Sequence, residues 1–368
     1  MKTAIFNWLD SFITLPVTGL DISDRTIKYL SFRRGKNRRL SVEYFGEAQI
    51  PEGIVVKGEI KNEEGLAEAL QILQRSGSRK LRSAFFAAAL PEEKSFLRLI
   101  QIPAIKQEDV ANAVRWEIEN QVPLPPEEII YDYEVIESAD ASPRHFDVQI
   151  TAFPRGLVES YVAAFKKAGM QLAALELESQ SIVRALWTRD ASGARIILDV
   201  GRTRSSIVVF SGSAILFTST LEIGGLLFEE HIAKRLGVPP QEAERIKKTD
   251  GLNKKARGGH VYQALLPAVG SLAGELSRAI GYYQGHAAHA HGAQKDISEI
   301  LISGGDGTLT GLGPYLSRTL NIPVAAADPF WAIKDLGAYG IPPMTRTQAM
   351  AYTAAIGLAL WDKSRPFR

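Results

Sequence analysis

VTGLDISDRTIKYL (Val17–Leu30) and RIILDVGRTRSSIVVF (Arg195–Phe210) follow one pattern, about half the chain apart. Each is an apolar strand ending in aspartate, then a small residue two positions on, a short polar turn and a second apolar strand. Both run on into a further strand, Leu40–Phe45 and Ala214–Thr218, so each predicts a meander. A tight polar turn aims successive backbone N–H groups at a phosphate, and a small residue lets the backbone come close. The predicted phosphate-facing residues are Ser23, Asp24 and Arg25 in the first turn and Gly201, Arg202 and Thr203 in the second. Asp21 and Asp199, at the strand ends, suit a magnesium ion held through its waters. One such hairpin is an ordinary β-turn. Two in matched order point to a cleft that clamps nucleotide phosphates between two lobes.

A third stretch, ILISGGDGTLTGLGPY (Ile300–Tyr315), runs from a strand through Gly304, Gly305 and Gly307 into a helix. Glycines at such a turn let a flat base or sugar approach the backbone. The order of phosphate hairpin, phosphate hairpin and adenosine loop resembles the actin, Hsp70 and sugar-kinase superfamily. That resemblance implies an α/β, two-lobed actin-like fold with ATP and Mg2+ as ligands. It further implies that Gly224 and Gly225 lie near the terminal phosphate and that Glu178, opening the first interdomain helix, orients the attacking water. Glu275 and Arg278 share one face of the predicted helix Leu265–Tyr283. The superfamily uses such a pair at the ribose and adenine, although a surface ion pair has the same spacing.

The segment Lys80–Gly169 predicts strand, strand, helix, strand, strand, helix, inserted within the first lobe. An insertion at this point resembles the cell-division protein FtsA and the PilM family of type IV pilus assembly proteins. RWEIENQVPLPPEEIIYDYEV (Arg115–Val135), IPEGIVVKGEI (Ile50–Ile60) and FPRGLVESYVAAFKKAGM (Phe153–Met170) are closely similar to the PilM family. The resemblance spans about Leu15 to Leu360, and the carboxyl end is expected to leave no room for the long tail of FtsA. It implies a cytoplasmic protein on the inner face of the inner membrane. Its expected partner is a PilN-like membrane protein, whose amino-terminal peptide enters a groove between the first lobe and the insertion. Other pilus platform proteins and self-association follow from the same resemblance, with membrane contact mainly indirect and ATP hydrolysis slow or absent.

The expected layout is an amphipathic helix over 1–16, a first lobe over 17–80 and 154–190, and an inserted unit over 81–153. A second lobe spans 191–345, with a helical part at about 226–297, and a returning helix spans 346–362. With 45% hydrophobic and 23% charged residues and a net charge of +2, the chain reads as globular, with no nucleic-acid partner implied by charge. The absence of cysteine excludes disulfides, thiolate metal sites and cysteine nucleophiles. No stretch approaches the ~18 apolar residues that suggest a membrane span, and Asp10 interrupts any secretory pattern at the amino terminus. Ile5, Phe6, Leu9, Phe12 and Ile13 suit a helix packed on its own domain better than one lying on a membrane.

Three features depart from the family pattern. Asp24 places an acid in the first phosphate turn, Arg202 and Arg204 place bases in the second, and Asp306 stands where a third glycine is common. The two arginines read equally as phosphate ligands and as solvent-facing residues. His286, His289 and His291 fit a solvated loop better than a metal site, and the basic run Arg33–Arg39 fits a hairpin tip. A non-hydrolysing peptide-binding scaffold and a small-metabolite kinase of the same superfamily remain the alternatives.

Overall fold

The computed structural model describes residues 17–34, 40–76, 85–136, 145–187, 193–212, 214–286, 296–335 and 342–361. The expected amino-terminal helix, the His289 and His291 loop and most of the basic tip lie outside these residues. The chain begins with β1 (Val17–Ile22), β2 (Thr26–Arg34) and β3 (Leu40–Gln49), then the short pair β4 (Val55–Val56) and β5 (Glu59–Ile60). Helix α1 (Glu63–Ser76) leads to β6 (Phe85–Leu90), β7 (Phe96–Pro103), α2 (Val110–Gln121), β8 (Ile129–Ile136) and β9 (His145–Pro154). Then come α3 (Arg155–Lys167), β10 (Gln171–Leu177), α4 (Glu178–Leu186), β11 (Ala194–Val200), β12 (Ser205–Ser211) and β13 (Ala214–Leu221). Helices α5 (Gly225–Leu236), α6 (Pro240–Asp250) and α7 (His260–His286) precede β14 (Ile297–Ser303), α8 (Leu312–Leu320) and β15 (Val324–Ala326). The described chain closes with α9 (Trp331–Asp335), α10 (Arg346–Met350) and α11 (Thr353–Ala359).

Two five-stranded sheets repeat one topology. The first has the order β10-β6-β1-β2-β3 and the second β13-β12-β11-β14-β15. In each, an antiparallel meander (β1–β2–β3 or β11–β12–β13) is extended on its first strand by two parallel strands. Parallel strands need crossovers, and helices supply most of them. A separate antiparallel sheet, β7-β9-β8, carries α2 on one face, where Val110, Val114 and Ile118 meet Ile100, Val148 and Ile150 in a small core of its own.

The inserted unit is therefore smaller than the expected 81–153. β6 hydrogen-bonds between β1 and β10 in the first-lobe sheet, so only about 96–154 stands apart. The sequence Phe85–Leu90 is apolar throughout and buried almost entirely, as a strand covered on both faces requires. α3 likewise belongs to the lobe, since Leu157, Tyr161 and Phe165 enter the core of Leu20, Leu66 and Phe86. The expected returning helix is two short helices, α10 and α11, separated at Ala351–Tyr352.

Period-two alternation decides what each strand end presents. On β1, Leu20 and Ile22 enter the first-lobe core, leaving Gly19 and Asp21 on the opposite face. On β11, Ile196, Leu198 and Val200 pack under α5 and α7, while Ile197 faces a core common to both lobes. That shared core contains Leu30 and Phe32 of the first sheet, Val208 and Phe210 of the second, and Ile182, Val183, Ala355 and Ile356 of α4 and α11. The crossing is very close. A Cβ at Gly19 would lie 2.2 Å from the Ala355 carbonyl oxygen, and one at Gly357 would lie 1.8 Å from that of Ser181.

Backbone atoms cannot yield there as a flexible side chain would. Gly357→Ala is expected to lower stability by about 3 kcal/mol through overpacking. Gly156→Ala, with nothing within 4 Å of its new methyl, should shift stability by less than about 1 kcal/mol. Urea denaturation of both variants checks this, and equal midpoints would contradict the close crossing.

Candidate functional site

The two hairpin turns face one cleft of about 300 Å3 between the lobes. The Ser23 amide donates to the Thr26 carbonyl oxygen at 2.9 Å, and the Thr26 amide donates to Ser23 Oγ at 3.1 Å, which closes the first turn. The Gly201 amide donates to the Arg204 carbonyl oxygen at 2.9 Å and closes the second. Among the described residues, no protein acceptor takes the turn amides of Asp24, Arg25, Arg202 and Thr203. Free amides at the tips of two facing turns can form an anion-binding concavity. Gly304, at φ 84°, sits so near Val200 that a Cβ would lie 2.3 Å from its carbonyl oxygen, and Gly305 continues the same cleft wall.

Asp21, Glu178 and Asp199 converge on the cleft floor. Each opens to the cleft yet lies deep within the molecule. Burial pushes Asp199 up to about 6, with Asp21 repelling it and a Ser303 hydrogen bond and Lys28 opposing the rise. Burial, then repulsion by Asp21, Asp199 and Glu92, holds Glu178 well above the ordinary carboxylate range. Asp21 is raised by burial and by Glu47, against the attraction of Lys28. Among the described residues no three His, Cys, Asp or Glu side chains are placed to hold a metal ion by themselves. That donor set fits magnesium, which keeps several waters and takes one or two carboxylates plus substrate phosphates.

Of the residues expected from sequence, Asp21, Ser23, Asp24, Arg25, Glu178, Asp199, Gly201, Arg202, Thr203, Gly304 and Gly305 line this cleft. Gly224, Gly225 and Gly307 stand behind it. A Cβ at Gly224 would meet the Arg202–Arg204 backbone at 2.7–2.8 Å, and one at Gly307 would meet Ile302 at 2.8 Å. One at Gly225 would overlap the Asp306 carboxylate at 2.1–2.4 Å. Gly224 and Gly225 pack on the second turn, where the Gly225 amide donates to the Gly201 carbonyl oxygen at 3.0 Å. Glu275 and Arg278 are bonded to each other on the exposed side of α7, apart from the cleft lining.

Several side-chain roles differ from the simplest reading of the turns. The Asp24 carboxylate accepts from the amides of Lys57 at 3.1 Å and Gly58 at 2.9 Å, and from Arg204 at 3.3 Å. Arg25 pairs with Glu52 at 2.8 Å. Arg202 grips Glu229 with two nitrogens, at 3.1 and 3.2 Å. Asp306 binds the buried Lys247 ammonium, which also meets Glu229 at 2.7 Å.

Lys28, Glu93, Glu244, Lys247 and Lys248 also line the cleft and were missed in the sequence. Lys28 was accessible to hairpin arithmetic, because in the β1–β2 register it stands directly opposite Asp21. Glu244 and Lys247 share an i, i+3 face of α6, the same spacing that drew attention to Glu275 and Arg278. Only the tertiary fold places α6, and not α7, beside the glycine loop.

A second concavity, also about 300 Å3, lies between the inserted sheet and the first lobe. Tyr131, Glu134, Phe153, Leu175, Gln180 and Trp361 are among its walls. β8 and β10, which line it, are both edge strands of their sheets. Burial, with Asp132 nearby, raises Glu134 against the attraction of Arg184, whose guanidinium is bonded to Glu176.

Twin sheets of this topology closing on a cleft define an actin-like fold. Residues 19–363 match the family described as type IV pilus assembly protein PilM, and the chain belongs to that family. Among solved structures it is similar to the PilM-PilN type IV pilus biogenesis complex, with 22% identity and a TM-score of 0.77 over 95% of this chain and 99% of that one. It is also similar to ethanolamine utilization protein EutJ from Carboxydothermus hydrogenoformans, at 16% identity and a TM-score of 0.53, covering 95% and 93% of the two chains. MreB5 of Spiroplasma citri bound to ADP gives 13% identity and a TM-score of 0.54, covering 88% and 94%. No described helix is long and apolar enough to cross a membrane.

With its pKa at about 6 against an ordinary 3.8, Asp199 keeps its proton in the folded chain at pH values where the unfolded chain has lost it. Stability therefore falls as pH rises through that window. Asp199→Asn is expected to stabilise the ligand-free protein at pH 7, by on the order of 2 kcal/mol, with the gain vanishing towards pH 4. Urea denaturation at both pH values measures this, and a gain independent of pH would refute the assigned cause.

Proposed function

We propose that this protein is a nucleotide-binding assembly component of a type IV pilus machine, working at the cytoplasmic face of the inner membrane. The observation that carries the reading is the pair of facing turns, with free amides beside three half-buried carboxylates. ATP would place its phosphates between the turns of Ser23–Arg25 and Gly201–Thr203, with the nucleoside against Gly304, Gly305 and α6. Asp21 and Asp199 would hold magnesium through its waters, and the ion would neutralise phosphate charge. Membership of the PilM family and the likeness to an ADP-bound MreB5 fold support this reading.

The groove between the inserted sheet and the first lobe suits an extended peptide. Aromatic walls at Tyr131, Phe153 and Trp361 bury apolar side chains, and edge strands offer main-chain hydrogen bonds. The occupant we propose is the amino-terminal peptide of a PilN-like inner-membrane protein, in keeping with the PilM-PilN complex that the fold resembles. Nucleotide binding would bias the lobes towards the arrangement that favours this partner.

A second reading, nucleotide binding without turnover, is favoured by Glu178. Burial and the neighbouring Asp21, Asp199 and Glu92 raise this carboxyl above its ordinary range, which lowers the share of ionised carboxylate available to take a proton from water. Slow or absent hydrolysis is the expected consequence.

Calorimetry of MgATP binding, with released phosphate followed in the same sample, tests both readings. Micromolar affinity with slow release is expected, and Asp199→Ala should abolish the magnesium-dependent part; unchanged affinity in that variant would remove its role. In a second titration, MgATP should shift the affinity for the PilN-type peptide by more than about twofold, the ratio that a few tenths of a kcal/mol produces. A smaller shift would end the proposed coupling while leaving both sites standing.

A further inference from the structure

Most cations that line the cleft already have a carboxylate partner, and Arg204 stands apart in where its partners lie. Arg202, Lys247 and Lys248 pair within the second lobe, with Glu229, Asp306 and Glu244. Arg25 pairs within the first, with Glu52. Arg204 leaves the second-lobe turn and crosses to the first lobe, hydrogen-bonding Asp24 at 3.3 Å with one nitrogen and standing in ion-pair contact with Glu93 through the other. Glu93 belongs to the short turn that follows β6. All three side chains are largely shielded, at 21%, 16% and 24% exposure. Solvent screens such a group less than it screens Lys57–Glu222, another ion pair between the lobes, at 65% and 79% exposure.

The partners are themselves fixed. Asp24 is tied to the amides of Lys57 and Gly58, at a turn where Lys57 adopts φ 51°. Arg204 sits where its own carbonyl oxygen closes the second phosphate turn. Any movement of its guanidinium towards an anion in the cleft therefore gives up its two contacts with the first lobe.

We infer that Arg204 is a positioning residue that fastens the two lobes across the cleft and exchanges Asp24 and Glu93 for the phosphates of an entering nucleotide. The spacing of the lobes then depends on the anionic charge between the turns. This inference rests on the nucleotide reading of the cleft only for the identity of the competing anion. The bridge itself involves this chain's own side chains alone.

The chain has no cysteine, so Glu68→Cys in the first lobe and Gln241→Cys in the second take spin labels at unique, exposed positions. In nucleotide-free protein, pulsed-EPR distances should be narrow, and Arg204→Met or Glu93→Gln should broaden and shift them. Arg204→Lys should restore them in part, because it keeps the charge and loses the planar fork. Molar salt should loosen the unsubstituted protein and leave Arg204→Met unaffected. MgATP should shift the distances in the unsubstituted protein, and Glu93→Gln should bind MgATP about fivefold more tightly, having one competitor fewer. Circular dichroism and denaturation midpoints confirm that each variant is folded. Distances unchanged in folded Arg204→Met overturn the bridge, whatever the nucleotide does. MgATP binding with no distance change overturns the exchange. No MgATP binding overturns the nucleotide reading, and the exchange with it, while the salt and variant distances still decide the bridge.

Discussion

The approach of α11 to β1 and α4, with no side chain between the backbones, is the constraint on which the remaining architecture depends. Gly19 and Gly357 make it possible, and methyl groups at either place would overlap main-chain oxygen. Because the backbones touch, the start of α4 and the end of β1 are fixed with respect to each other. Glu178 opens α4 and Asp21 lies two residues beyond Gly19 on the same strand face. The glycine crossing thus brings two acids of the cleft floor together, and the shared core beside it holds β11, which supplies the third.

The floor so assembled is locally unfavourable. Three carboxylates, each raised by burial and by its neighbours, share one cation, Lys28, as their common attractive partner. Folding alone gains nothing from that arrangement, and the packed core on both sides offsets it. Strongly perturbed acids at the base of a cleft are a mark of binding or catalytic sites, because a cation or a proton relieves them.

Much of this was legible in the sequence because it is local. The repeated strand-turn-strand pattern and the glycine turn after β14 could be read from period and spacing, and the likeness of Arg115–Val135 to the PilM family identified the branch. The limits of the inserted unit were less legible. Phe85–Leu90 is an apolar run that serves equally in an inserted sheet or a central one, and only pairing with β1 and β10 decides. Glu244 and Lys247 were hidden for a related reason. Helical spacing shows that two side chains share a face, while the direction of that face is set by how α5, α6 and α7 stack. Asp24 and Asp306 read in the sequence only as departures from the family pattern, because their partners, Arg204 and Lys247, stand 180 and 59 residues away along the chain.

The two concavities are joined by a short stretch of chain. β10 runs along the groove with Leu175 and Glu176, and the next turn opens α4 with Glu178 in the cleft and Gln180 back in the groove. Glu176 is clamped by Arg184, which also donates to the Gly357 carbonyl oxygen at 3.2 Å, at the glycine crossing itself. A displacement of α4 along its axis would therefore be felt on the cleft floor, in the groove wall and at the crossing together. Packed cores and close backbone contacts resist continuous deformation and favour a few discrete arrangements. A coupling between nucleotide and peptide in this chain thus needs no extended relay. It needs only that the two ligands prefer different positions of one helix, with Glu178 of the cleft at its first residue and Gln180 of the groove wall two residues on.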